Sequence, residues 1–238
     1  MKWLATPFKA VGTYPEMLDK IASWTFIVTL LLLLLLAWQV PGLNHLIQSL
    51  HQKVDIKDLP FSVAAVPLGA ILIALGVAWL TRSIRWHNQL SDMFRIRSRF
   101  DVRHILLPLA ASCGVLLSGQ KLARLNSDRD QLMEQVFYHY IHTNPRVLTE
   151  HSVAQAMDRW GNLWILAETT SVAFVASIVL IAVASWAWAT LLLALILIAI
   201  GAMHLIRVDC ERHAHTQVTM ILNSPGSPAY LLPVFSAL

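Results

Sequence analysis

The sequence predicts an all-α, polytopic integral membrane protein, with four transmembrane helices and a helical cytoplasmic insertion between the second and third. Three observations predict it. Of the 238 residues, 56% are hydrophobic and only 13% are Asp, Glu, Lys or Arg, against roughly a quarter charged in a soluble domain. The apolar residues are concentrated in runs long enough to cross about 30 Å of hydrocarbon at 1.5 Å per residue. The basic residues outside those runs are concentrated on one side. A soluble enzyme, a disordered tail and a disulfide scaffold are excluded by this composition. Cys113 and Cys210 stand far apart and form no CxxC or zinc-type spacing.

The first span is read at 22–40. It carries seven consecutive leucines, Leu30 to Leu36, and stops before Pro41-Gly42. This run is too long for the apolar core of a cleaved signal, so it is expected to be retained. Rich in leucine and nearly devoid of polar atoms, it is expected to face lipid. Next, Leu43, Leu46, Ile47, Leu50 and Val54 recur at i, i+3, i+4 and i+7, an amphipathic helix for the outer interface. The second span is read at 61–80, ending at Thr81-Arg82. Within it Ala70, Ala74 and Ala78 recur every four residues, a small-residue stripe that lets helices approach closely, within one chain or between chains.

From Leu163 to Leu205 the only ionisable residue before His204 is Glu168. The run is twice the length of one span, with Trp186 and Trp188 at its midpoint where tryptophans suit an interface. Two helices joined by a tight hairpin are therefore expected, at 163–184 and 187–207. These boundaries give four segments: a first hairpin with its leader (1–81), the cytoplasmic segment (82–162), a second hairpin (163–207) and a tail (208–238).

Orientation follows from the basic residues. Lys2, Lys9 and Lys20 precede the first span. In the first loop Lys53 and Lys57 are offset by Asp55 and Asp58. Eleven arginines and lysines lie in 82–162, none lies in the second hairpin, and Arg207 and Arg212 follow the last span. Because Lys and Arg mark the cytoplasmic face, both termini and 82–162 are expected inside, in a bacterial inner membrane. Within the insertion, 104–119 is nearly uncharged but short and broken by Pro108 and Gly114, and is read as a buried helix or a shallow membrane dip. Ser127 with Asp130 has capping-box spacing. It is expected to open a helix carrying Leu132, Met133, Val136, Phe137, Tyr140 and Ile141 on one face and ending at Asn144-Pro145. Another helix starts at Thr149 and runs without a breaker into the third span.

Four sets of residues could carry chemistry. Arg95, Arg97, Arg99 and Arg103 form the densest basic run, suited to phosphates of anionic lipid headgroups or to a protein partner. Direct nucleic-acid binding is not expected, since no binding motif accompanies the charge. Glu168 is the one acid in the predicted hydrocarbon, followed by Thr169, Thr170 and Ser171. A retained intramembrane acid faces other helices and has a partner, expected to be a boundary cation such as Arg159 or a group of a partner subunit. In the tail, Asp209 with His213 and Glu211 with His215 have i, i+4 spacing, but nothing in the sequence completes a metal site. No hydrolase, zincin, phosphate-loop or dinucleotide motif is present.

The expected function is therefore non-enzymatic, with no cofactor. The chain reads as a scaffold or anchor subunit of a secretion, conjugation or phage-defence type complex, homo-oligomeric and docking a partner through its cytoplasmic helices. The alternative is an oligomeric channel or membrane-perturbing effector lined by the third span, with Glu168 and the hydroxyls facing water.

Overall fold

The computed structural model describes residues 7–53, 67–115, 117, 119–142 and 147–238. Their regular structure is helical, with no strand among the described residues. Several features of the sequence fall outside them: Lys2, Val54, Asp55, Lys57, Asp58, residues 61–66 of the second span, and the Asn144-Pro145 break with Arg146.

Among the described residues, three helices are long and apolar enough to cross a membrane, or up to four if the bent pair α3–α4 counts as one span. They are α1 (Tyr14–Gln39), α10 (Glu150–Ala182) and α11 (Trp186–Leu222). Between α1 and α10 the chain forms α2 (Pro41–Lys53), α3 (Leu68–Ser83), α4 (Trp86–Met93) and a series of shorter helices. Pro41 ends one helix and starts the next. It disfavours helical geometry in Val40, yet its fixed φ suits the first position of α2.

By compactness the chain divides into two units. The first comprises Pro15–His87 and Gly161–His204, with residues 7–10. Here α1 and α10 run parallel. Thr25 meets Glu168, Leu32 and Leu36 share a cluster with Ala173, Ala176 and Leu180, and Gln39 accepts from the Ser185 hydroxyl at 2.8 Å. Against α1, α3 runs the other way, since Asp19 pairs with Arg82 while Leu33 clusters with Ala70 and Ala74. The first span thus does not simply face lipid. Its leucine run is apolar all round and marks no face, and α1 packs on two sides, burying Leu32, Leu33 and Leu36. The outward helix is α11, where Leu191, Leu195, Leu197 and Ile198 are exposed.

Ala70, Ala74 and Ala78 are all fully buried. Ala70 and Ala74 pack with Leu33 and Ile47, so the stripe seats helices of its own chain. The first turn of α3 comes so close to α2 that a Cβ on Gly69 would overlap the Ile47 carbonyl. The hairpin between α10 and α11 turns through Val183–Ser185, with Ala184 at φ 57° where glycine is usual.

The second unit comprises Val11–Tyr14, Asn88–Trp160 and Leu205–Leu238. Its core holds Phe100, Leu106, Leu109, Leu125, Val136, Leu148 and Phe235. After α4 come α5 (Ile96–Phe100), a π-helical turn (Asp101–Leu106) and α6 (Leu107–Ser112). Pro108 cannot donate to the carbonyl one turn back, and the wider π turn before it moves that carbonyl aside. Leu106, Leu109 and Ala110 of the uncharged 104–119 stretch lie in this core. Then follow α7 (Gln120–Ser127), α8 (Arg129–Met133), a second π turn (Glu134–Tyr138) and α9 (His139–His142).

Ser127 closes α7 rather than opening a helix. Its hydroxyl donates to the Arg124 carbonyl at 2.9 Å and to Asp128, the three-back bonding that competes with N-capping. In the tail, α12 (Ser227–Ser236) follows Gly226, at φ 80°, and buries Leu231 and Phe235.

Candidate functional site

Glu168 is 1% exposed. Its Oε2 accepts from the Thr25 hydroxyl at 3.2 Å, and its Oε1 accepts the backbone N–H of His87 at 3.1 Å and lies 3.3 Å from His87 Nδ1. Thr25 belongs to α1, His87 is the second residue of α4, and Glu168 sits mid-way along α10. The carboxylate therefore ties three helices at one point.

Its position on α4 has a simple cause. The first N–H groups of a helix have no partner within it, and they attract an acceptor, best a negative one. For the His87 N–H that acceptor is Glu168, which comes from another helix. The neighbouring contacts serve the same junction. Trp86 Nε1 donates to Ser171 Oγ at 3.0 Å, the His87 ring lies 6.1 Å from that of Trp164, and Arg82 pairs with Asp19. Arg85, at φ 50°, makes the break between α3 and α4 in the left-handed conformation usually given to glycine.

The four residues expected to act together divide into three roles. Glu168 and Ser171 face the junction. Thr169 donates to the Ile165 carbonyl of its own helix at 2.7 Å, and half-buried Thr170 lies two residues from Glu168, on nearly the opposite face. The expected partner Arg159 is not on Glu168. Nine residues apart on one helix places the two on opposite faces and about 13 Å apart along the axis. Arg159 instead donates to Asp209 at 2.6 Å in the second unit.

The basic run is also divided. Arg97 donates to the Tyr138 hydroxyl at 3.1 Å and lies 3.7 Å from Asp101, whose carboxylate accepts from Arg129 at 2.7 Å. Burial pushes the Asp101 carboxyl up to about 6, against the pull of Arg97 and Arg129. All four arginines, Arg95, Arg97, Arg99 and Arg103, are exposed.

Residues 13–230 match the family model of the YmfE protein family. The chain belongs to that family. No curated protein and no solved structure matches it. In this YmfE family chain the matched region holds Thr25, His87, Glu168 and the whole basic run, and stops short of the buried Leu231 and Phe235 of α12.

The tail acids and histidines are engaged separately. Glu211 accepts from Arg207 at 3.2 Å, and His213 Nε2 lies 2.9 Å from the Ser152 carbonyl. Among the described residues no group of three or more His, Cys, Asp or Glu side chains could hold a metal. Sequence reasoning missed His87, Thr25 and the Asp19–Arg82 pair. The available signal was weak: a histidine and two charges at the ends of spans look like ordinary interfacial residues.

Proposed function

We propose that this YmfE family chain is a non-enzymatic, multi-pass anchor of the inner membrane. It is a subunit of a multiprotein complex of secretion, conjugation or phage-defence type, and it docks a protein partner through the helical segment 82–162 on the cytoplasmic side. Both termini lie on that side.

The parallel packing of α1 and α10 carries the reading. Two helices that cross a bilayer in the same direction require a return crossing between them. The antiparallel α3, whose Arg82 end meets the Asp19 end of α1, is the segment available for it. Four crossings then agree with the basic residues of 82–162. The polar groups near the junction support an anchor over a pore. Glu168, the acid a channel would need, is spent on the N-terminus of α4 and on Thr25, inside one chain. If copies associate, the exposed apolar face of α11 is open to them, whereas the alanine stripe is already covered.

Current recording on the purified full-length chain in planar bilayers tests this. The anchor reading expects no conductance above the lipid background. A cation-selective current that loses its selectivity in Glu168→Gln, with the variant still folded, would overturn it in favour of a channel.

A further inference from the structure

The second unit carries an exposed stretch whose two chemistries fit one partner. Met93 and Phe94, at the end of α4, are 65% and 60% exposed, although Phe100, Phe137 and Phe235 of the same unit are buried. They are held out by Arg95, which turns the chain at φ 50°. Beyond them Arg95, Arg97, Arg99 and Arg103 are exposed, Arg95 just before α5 and Arg103 in the π turn that follows it. Of the four, Arg97 is engaged by Tyr138 and Asp101. Of the two acids between Asn88 and Arg103, Asp101 is buried against Arg129, and exposed Asp92 precedes the apolar pair.

We infer that Met93–Arg103 is a contact for anionic lipid. Met93 and Phe94 enter the acyl boundary, and Arg95, Arg99 and Arg103 bind headgroup phosphates, which guanidinium takes bidentately. The inference rests on the membrane reading above. Connectivity favours this occupant, because Met93 follows the end of α3 by ten residues, eight of them in α4, a helix about 12 Å long. The stretch is therefore tethered near the interface where α3 leaves the hydrocarbon. A nucleic acid would account for the arginines but not for the adjacent apolar pair.

The test is hydrogen exchange of the full-length chain in nanodiscs of phosphatidylcholine alone and of phosphatidylcholine with phosphatidylglycerol. Exchange across 93–103 should be slower with phosphatidylglycerol by at least about fivefold, the factor one surface arginine is worth against anionic lipid. The triple variant Arg95→Gln, Arg99→Gln, Arg103→Gln should lose that dependence, and Phe94→Ser should reduce it. Arg97→Gln should keep it. Equal exchange in both nanodiscs, with the chain inserted, would overturn the inference. So would protection of 93–103 by a short RNA or DNA duplex and not by phosphatidylglycerol. Failure of the chain to enter either nanodisc would instead count against the membrane reading.

Discussion

Oε1 of Glu168 lies 3.1 Å from the backbone nitrogen of His87 and 3.3 Å from the Nδ1 of the same residue. An acid on one helix thus caps the N-terminus of another, and does so where water is excluded. A donor left unpaired in such a place costs about 1–3 kcal/mol.

Glu168→Ala should therefore destabilise the chain by about that amount, mostly through the His87 N–H. Thr25 can turn its hydroxyl to its own helix, as Thr169 does. Glu168→Gln keeps an acceptor for the N–H and should lose less than half as much. Thermal unfolding of the detergent-solubilised protein, wild type against both variants, reads the order. Equal losses for Ala and Gln would show that the charge, not the hydrogen bond, carries the contact.

Gly69 and Gly76 lie on the same helix in opposite surroundings. A Cβ on Gly69 overlaps the Ile47 carbonyl, while one on Gly76 meets nothing within 4 Å. Gly69→Ala should force α2 and α3 apart and lower the unfolding temperature. Gly76→Ala should raise it slightly, since alanine is favoured over glycine in a helix by up to about 1 kcal/mol. Ala74→Leu should behave like Gly69→Ala, and its first effect should be on folding, not on association between copies.

Asp101 makes stability depend on pH. With its carboxyl near 6 in the fold against an ordinary 3.8, the native state holds a proton between those values that the unfolded chain has released. Stability is thus highest below about pH 4 for this group and declines as pH rises through 6. The full span corresponds to roughly 3 kcal/mol. Acidifying from pH 7 to pH 5 should raise the unfolding temperature of the wild type relative to Asp101→Asn. The opposite slope would mean that Arg97 and Arg129 outweigh burial.

Ala184 holds a left-handed conformation that costs an L-residue roughly 1–2 kcal/mol. Ala184→Gly relieves it, offset in part by the freer unfolded chain. A net gain of about 0.5–1 kcal/mol is expected in the same unfolding assay. A loss would show that the hairpin does not need this turn.

Much of the fold was legible because long apolar runs and basic clusters are global signals. The long apolar helices α10 and α11, the amphipathic α2 and the unbroken run of α10 from 150 through the apolar stretch all follow from them. The breaks were not legible. Arg85, Arg95 and Ala184 adopt the conformation that glycine usually announces, so nothing in the sequence marked the bend after α3 or exposed Phe94. Seven leucines in a row erase the periodicity that would have shown α1 to be packed on two sides. At the site, Glu168 stood out as a lone acid in an apolar run. Its partner did not, because the decisive donor is a backbone N–H, which every residue but proline carries.

The central claim, a four-span anchor presenting 82–162 to the cytoplasm, is tested most directly by reporter fusions to the full threading. Fusions after Asn126 and Ser224 should report a cytoplasmic location, and a fusion after Gln48 a periplasmic one. A periplasmic signal at Asn126 would mean that α3 does not bring the chain back, and would contradict the account.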